Sequence, residues 1–292
     1  MKTTQSNRTP KPAWLKKSLP VGGNYQHVTH LLKNARIKTV CQEANCPNMF
    51  ECFSKNTSTF MILGSECTRN CMFCNVTPGS PALPDPEEPI RVAKTAGDLG
   101  LKYVVITSVT RDDLEDGGSS HFVATIHAVK KTLGQQIRIE VLIPDFQGNY
   151  DAIRSVVEAG PDVLNHNIET VSSLYDLARP QADYQQSLSL FDTVRSIAPN
   201  MPLKSGIMVG LGETVDELSQ TMADLYDHGC RILTIGQYLQ PTRSHLEVKR
   251  FYSPEEFKDL EAIAKEIGFP KIASGPFVRS SYRAENLFSH LT

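Results

Sequence analysis

The sequence has little that marks a membrane, secreted or nucleic-acid-binding protein. No apolar run approaches the roughly 18–20 residues of a membrane-spanning helix, and the N-terminus lacks the apolar stretch of a secretory signal peptide. Its 30 Lys and Arg residues nearly balance 32 Asp and Glu residues, so the net charge of −2 provides no global field for nucleic acid or a membrane surface. We therefore expect a cytoplasmic protein without disulfides, nucleic-acid partners or membrane partners. Five basic and no acidic residues among the first 20 leave a short transit peptide as an alternative.

The 292 residues can form two domains or one barrel-type domain. Short β-rich runs alternate with helical segments, which is typical of a parallel sheet wrapped by helices. We predict strands at 59–63, 103–108, 137–143, 163–167, 203–209 and 232–236. Helices are predicted at 90–99, 119–133, 150–159, 188–197, 214–228 and 254–267, with an extended Pro-rich linker after residue 77. The predicted fold class is α/β, a partial (β/α)6 TIM-type barrel of residues 56–272 with an N-terminal extension, 1–55, and a C-terminal extension, 273–292.

Six of the seven cysteines form two groups of three. The first group follows the spacing C-x4-C-x5-C and the second C-x3-C-x2-C: Cys41, Cys46 and Cys52, then Cys67, Cys71 and Cys74. Structural zinc usually takes four ligands, and neither group has a nearby histidine to complete a tetrahedron. A 4Fe-4S cluster also normally takes four thiolates, so a group of three leaves one iron open to another ligand. The remaining thiol, Cys230, is expected to be buried and structural.

Three segments carry a resemblance to a known family. Residues 67–74, CTRNCMFC, directly follow the first predicted strand and resemble the C-x3-C-x2-C loop of the radical S-adenosylmethionine superfamily. Residues 41–52, CQEANCPNMFEC, and residues 279–282, RSSY, are similar to motifs of lipoyl synthases. The resemblance implies a 4Fe-4S cluster that cleaves S-adenosylmethionine at its open iron, bound by Cys67, Cys71 and Cys74. It further implies an auxiliary 4Fe-4S cluster in the N-terminal extension, bound by Cys41, Cys46, Cys52 and Ser281.

The resemblance also implies an activity and its partners. The activity is radical insertion of two sulfur atoms at C6 and C8 of an octanoyl chain on a lysine of a lipoyl-carrier protein, with the auxiliary cluster as sulfur donor. The implied partners are octanoylated carriers, such as the glycine-cleavage H protein and the acyltransferase subunits of 2-oxoacid dehydrogenases, and an electron donor such as ferredoxin or flavodoxin. One alternative is a methylthiotransferase or another two-cluster radical enzyme, which usually adds a binding appendage that we do not find here. Another is a ferredoxin-like carrier or a zinc module, which would need four ligands at each site.

Polar residues are also predicted at the rim of the barrel. Reacting groups of a parallel barrel come from the loops that follow the carboxyl ends of its strands. Five such residues are predicted to contact S-adenosylmethionine: Thr107, Asn165, Glu169, Gly210 and Glu213. No catalytic side chain is predicted beyond the cluster ligands. The basic segment 2–17 is expected to steer an acidic carrier domain toward the rim, and the alternative is a solvated tail.

Overall fold

The computed structural model describes residues 10–16 and 23–288, and its centre is an eight-stranded sheet in the order β1-β2-β5-β6-β7-β8-β9-β10. The strands are β1 Lys38–Thr39, β2 Thr59–Ile62, β5 Tyr103–Ser108, β6 Arg138–Leu142, β7 Val163–Asn165, β8 Leu203–Val209, β9 Ile232–Gln237 and β10 Lys271–Gly275. All neighbours pair in parallel except β1, which is antiparallel to β2. A separate small sheet joins β3 Glu66–Cys67 and β4 Thr77–Pro78. Within the described ranges, β1 and β10 are the unjoined edges of the large sheet, so the barrel is open.

Helices follow most of the strands. They are α1 Asn24–Asn34, α2 Val40–Glu43, α3 Met49–Ser54, α4 Glu88–Asp98, α5 Ser119–Leu133, α6 Tyr150–Glu158, α7 Tyr175–Ala178, α8 Tyr184–Ile197, α9 Val215–Asp227, α10 Pro254–Ile267 and α11 Ala284–Phe288. Short 3-10 turns occur at Ala13–Leu15, Phe146–Gly148 and Ser172–Leu174. None of the helices in this described part of the chain is both long and apolar enough to cross a membrane.

The predicted α/β fold is confirmed, because the six predicted strands correspond to β2 and β5 to β9. The six predicted helices correspond to α4, α5, α6, α8, α9 and α10. The Pro-rich linker is also confirmed, since residues 79–87 contain no helix or strand and Leu83 is 88% exposed. The sequence pattern missed α1 to α3, α7, α11, β1, β10 and the small sheet.

Helix starts are determined locally by capping side chains. Thr214 and Ser253 each accept a hydrogen bond from the backbone N–H three residues on, while the glutamate at that position bonds back, which forms a capping box at α9 and at α10. Pro254 occupies the first turn of α10, where a missing N–H costs nothing. Gly268 ends this helix with φ +117°, a conformation that favours glycine.

The inner and outer faces of the sheet are both covered. Every residue of β2 and β9 is buried, as expected for parallel strands between helices and a filled barrel interior. Glu140 on β6 and Lys204 on β8 form an ion pair of 2.8 Å with both side chains 1% exposed. Because β7 lies between their strands, this pair spans three neighbouring strands of the sheet. Tyr103 Oη also donates to Glu140 Oε2, at 2.7 Å, so the buried carboxylate is well satisfied.

The two ends of the chain contact each other beside the barrel. Asn48 Nδ2, just before α3, donates to the Phe277 carbonyl oxygen at 2.6 Å. Tyr282 Oη and Arg283 Nη2 donate to Glu51 Oε1 at 2.9 and 3.0 Å. The predicted basic segment 2–17 lies largely outside the described residues; within its described part, Trp14 Nε1 donates to the Tyr252 carbonyl oxygen at 3.2 Å. Residues near both chain ends therefore build one side of the molecule together.

Candidate functional site

A cavity of about 490 Å³ opens among the barrel strands and the two extensions. Its volume is in the usual range of small-molecule sites, roughly 300–1,000 Å³. The barrel contributes residues in or just after β6 to β9: Leu142, Asn167, Glu169, Gly206, Ile207, Met208, Thr234, Gly236 and Tyr238. The N-terminal part contributes Lys11, Cys41 and Cys46, the loop after β3 contributes Phe73 and Cys74, and the C-terminal part contributes Arg279, Ser280 and Ser281. The cavity thus collects residues from both cysteine groups.

The cysteine loop, residues 67–74, follows β2 after a short turn and has no helix of its own. Backbone hydrogen bonds attach it to neighbouring loops: Thr68 N–H donates to the Thr110 carbonyl at 3.1 Å, and Met72 N–H donates to the Ala178 carbonyl at 2.9 Å. Thr68 Oγ1 also accepts from Asp112 N–H at 3.1 Å. The loop conformation is therefore set largely by tertiary contacts.

Arg69, inside this loop, is 5% exposed and bonds two carboxylates. Its Nε and Nη2 donate to Asp112 at 2.6 and 3.0 Å, and its Nη1 and Nη2 donate to Asp145 at 2.7 Å each. Burial alone would raise the pKa of Asp145, but the hydrogen bonds and charge of Arg69 outweigh it and lower this pKa below its usual range. Removal of one partner from such a buried pair typically costs about 3–5 kcal/mol.

The three thiols of the loop share a half-buried environment. Burial raises the pKa of Cys74 to about 12, and the neighbouring Cys71, Cys67 and Glu169 act in the same direction. Burial also raises the pKa of Cys71, against the opposing charge of Arg179. Thr110 N–H donates to Cys67 Sγ at 3.3 Å. The raised pKa values of Cys71 and Cys74 mean that both thiols favour the neutral form, and binding of a metal would favour their thiolates instead.

The N-terminal cysteines are placed by α2 and α3. Cys41 lies in α2 and is buried, and Cys46 N–H donates to its carbonyl at 3.0 Å. Burial raises the pKa of Cys41 to about 11, with the charge of Cys46 as a further cause. Cys52 lies in α3, on the helix that also carries Glu51, the acceptor from Tyr282. This group therefore lies against the C-terminal segment.

Two glycines allow that segment to approach the strands. A Cβ at Gly206 would lie 2.8 Å from Ser280 Oγ and 2.9 Å from Asn167 Oδ1, and one at Gly236 would overlap the Val278 carbonyl oxygen. Ser280 Oγ donates to Asn167 Oδ1 at 2.8 Å. Close backbone approach at β8 and β9 therefore places residues 278–281 in the wall of the cavity.

The five residues predicted to contact S-adenosylmethionine have different surroundings in the structure. Glu169 lines the cavity, has φ +70° and accepts from Asn167 Nδ2 at 3.0 Å. Thr107 Oγ1 donates to the Leu142 carbonyl, and Asn165 Nδ2 donates to Glu140. Glu213 accepts from Gly210 N–H at 2.6 Å and also from the next two N–H groups. Glu213 and Gly210 thus stabilise their own turn, and Glu169 alone of the five is in the cavity lining.

Comparisons with known proteins agree with this architecture. The radical SAM superfamily matches residues 61–225, and the N-terminal domain of lipoyl synthase of the radical SAM family matches residues 1–46. Lipoyl synthase of Desulfotalea psychrophila is 56% identical over 281 residues, 96% of this chain and 94% of the relative. The chain belongs to the lipoyl synthase family. Lipoyl synthase of Caldanaerobacter subterraneus is 54% identical over 94% of this chain and 96% of the relative. A member of this family is a sulfur-inserting radical enzyme that uses a 4Fe-4S cluster and S-adenosylmethionine.

Solved structures show the same fold at low identity. The FeFe-hydrogenase maturase HydG has a TM-score of 0.58 at 15% identity, covering 86% of this chain and 63% of that chain. Methylornithine synthase PylB has a TM-score of 0.52 at 13% identity, covering 90% of this chain and 81% of that chain. The fold of this chain is therefore shared with both of these proteins.

The residues of the cysteine loop fit an iron–sulfur cluster. Within 10–16 and 23–288, no three His, Cys, Asp or Glu side chains converge on one ion. A 4Fe-4S cubane does not need such convergence, because each cysteine binds a different iron. The cysteine sulfurs are therefore spread around a cluster that is larger than a single ion. The loop of Cys67, Cys71 and Cys74 offers thiols, an N–H donor to sulfur and an adjoining cavity. For a lipoyl synthase family member these are suitable surroundings for a cluster.

Sequence reasoning missed several polar residues of the site. Arg179 is 8% exposed, donates to the Asn167 carbonyl and Tyr175 Oη, and carries an Nε with no partner among the described atoms. Its charge acts on both Cys71 and Glu169. Asp145 follows the predicted strand 137–143 and Asn167 ends the predicted strand 163–167, so the strand-end rule points to both residues. Arg179 lies after α7, where no such rule applies.

Proposed function

We propose that this member of the lipoyl synthase family inserts sulfur at C6 and C8 of an octanoyl chain attached to a lysine of a lipoyl-carrier protein. The observation that carries the proposal is the shared cavity. Cys41, Cys46 and Ser281 line one part of it, and Cys74 lines another. Two cysteine groups in contact with one space suit a reaction in which hydrogen abstraction and sulfur transfer occur at the same carbon atoms.

For the first cluster, we assign Cys67, Cys71 and Cys74 as ligands and leave one iron for S-adenosylmethionine. When both are bound, the cluster and S-adenosylmethionine together supply a carbon radical that can remove hydrogen from an unactivated carbon. Glu169 and Asn167 in the cavity wall are placed to accept and donate hydrogen bonds to a polar cofactor. We retain Thr107, Asn165, Gly210 and Glu213 as proposed contacts; any contact from Glu213 would compete with the N–H groups of its own turn.

For a second cluster, we assign Cys41, Cys46, Cys52 and Ser281 as ligands. An alkoxide is a harder ligand for iron than a thiolate, so a serine ligand suits a cluster that must open to release sulfur. Ile207, Met208 and Leu239 supply apolar surface to the same cavity, which fits an eight-carbon acyl chain. In functional terms, residues 1–55 and 273–292 form the proposed auxiliary-cluster parts and residues 56–272 form the radical-generating barrel.

The proposed partners follow from this chemistry. The substrate is an octanoylated carrier, such as the glycine-cleavage H protein or an acyltransferase subunit of a 2-oxoacid dehydrogenase. A one-electron donor such as ferredoxin or flavodoxin must reduce the first cluster. Reduced clusters and free thiols both favour a reducing compartment, so we place the reaction in the cytoplasm.

Single-turnover mass spectrometry tests the proposal. Anaerobically reconstituted protein is mixed with S-adenosylmethionine, dithionite and an octanoylated lipoyl-domain peptide. The peptide mass should increase by two sulfur atoms, because two C–H bonds become two C–SH groups under these reducing conditions. The matched control omits S-adenosylmethionine. Formation of 5′-deoxyadenosine without sulfur gain would keep the radical chemistry and reject the sulfur-insertion assignment.

A further inference from the structure

Arg69 lies among the proposed cluster ligands, yet its side chain is directed to the barrel wall. It is two residues from Cys67 and from Cys71, and its guanidinium bonds only carboxylates among the described residues. Asp112 follows β5 and Asp145 follows β6, so one side chain connects the loop to two adjacent strand ends.

Asp145, the buried acceptor, is itself fixed in position by its surroundings. It is fully buried, and Oδ1 accepts from Gln147 N–H at 2.9 Å in addition to its bond from Arg69. The next two residues, Phe146 and Gln147, have φ of +48° and +52°, which are strained conformations for these side chains. The acceptor is therefore fixed by a tight turn.

The geometry requires an arginine. Four N–H···O bonds run from one planar group to two carboxylates, and a lysine ammonium cannot make both bidentate contacts at once. A simple charge balance would not need this arrangement, since Asp112 is partly exposed and can be solvated. The arrangement instead defines the position and orientation of the loop backbone at residue 69.

We propose that Arg69, clamped by Asp112 and Asp145, is a positioning residue that holds Cys67, Cys71 and Cys74 so that the open iron faces the cavity. The inference rests on the proposed first cluster and goes beyond it, because it assigns this orientation to a side chain that touches neither cluster nor substrate. Other contacts also hold the loop backbone, from Thr68 to Thr110 and from Met72 to Ala178 at the end of α7, but neither contact alone connects the loop to two strand ends.

The test uses reconstituted holoprotein and the electron paramagnetic resonance signal of the reduced first cluster. Binding of S-adenosylmethionine to the open iron shifts this signal, and the half-maximal concentration is measured for wild type, Arg69→Lys and Arg69→Met. Substitutions around metal ligands typically weaken binding by about 10–100-fold, so we expect a rise in this range for both variants. Arg138→Met removes an ion pair of 2.7 Å with Asp162 at the amino end of β6 and should leave the midpoint unchanged.

A triple variant, Arg69→Met with Asp112→Asn and Asp145→Asn, separates positioning from stability. It removes the two carboxylates that Arg69→Met would leave unpaired, so thermal stability should largely recover while the midpoint stays raised. A wild-type midpoint in this triple variant, or in both single variants, would overturn the inference and leave the proposed function standing. If S-adenosylmethionine does not shift the electron paramagnetic resonance signal of the wild-type protein, the proposed function and the inference are both rejected.

Discussion

Replacing Gly236 with alanine tests whether the C-terminal segment must lie directly on β9. A Cβ there would overlap the Val278 carbonyl oxygen and lie 3.1 Å from Arg279 Nη1. A backbone carbonyl cannot rotate away like a flexible side chain, so residues 278–281 must move, and Ser281 moves with them. Overpacking of this kind costs about 1–3 kcal/mol of folding free energy. A misplacement of roughly 1 Å near the reacting groups can cost about 100-fold in rate.

We therefore expect Gly236→Ala to yield about 100-fold less lipoyl product while 5′-deoxyadenosine formation stays near wild type. Product is measured by peptide mass spectrometry, 5′-deoxyadenosine by chromatography, and folding by the Tm. Gly275→Ala is the matched control, because Gly275 pairs with Gly236 in the sheet and its Cβ would make an ordinary contact of 3.5 Å with Val278. Wild-type lipoyl yield from a folded Gly236→Ala protein would refute the argument that close approach of this segment matters.

Three further predictions concern the ligands and the buried histidine. Replacing Cys67, Cys71 and Cys74 with alanine should lower the iron content from about eight to about four per chain and abolish 5′-deoxyadenosine formation; continued cleavage would reverse our assignment of the two cysteine groups. Ser281→Ala and Ser281→Cys should retain cleavage of S-adenosylmethionine but lose most lipoyl product, and full product from Ser281→Ala would exclude this ligand. Burial lowers the pKa of His166 from 6.5 to about 4, so neutral His166 contributes stability above pH 6.5 that is lost as the pH falls toward 4. His166→Asn should flatten the dependence of Tm on pH in that window, and an unchanged slope would assign the acid sensitivity to other groups.

Strands could be predicted from the sequence where a long, largely apolar segment forms them. Residues 103–108 and 203–209 were predicted with the observed bounds of β5 and β8, because both are long and largely apolar. β1 has only two residues, and it is a strand only because these pair with Phe60 and Met61 of β2. β10, with the sequence KIASG, has weak strand propensity and is stabilised by its parallel partner β9.

For the site, spacing located the cysteines but not the groups that hold them. Arg69 was visible inside the motif, yet its partners Asp112 and Asp145 are 43 and 76 residues away and meet it only through the sheet order. Glu213 shows the opposite case. It follows a strand as a cofactor contact would, but three nearby N–H groups already occupy its carboxylate. Local competition for hydrogen bonds is not visible in a spacing pattern.

The contact between the two ends of the chain sets an order of events during synthesis. Asn48 bonds the carbonyl of a residue 229 positions later, and Glu51 accepts from one 231 positions later. The first cysteine group therefore leaves the ribosome long before the segment that covers it is made. Until Phe277 and Tyr282 emerge, Cys41 and Cys46 lack one wall of their cavity. Assembly at this end of the cavity is consequently a late step that requires residues 277–282, and premature termination after the barrel would leave the cavity without the wall that residues 278–281 provide.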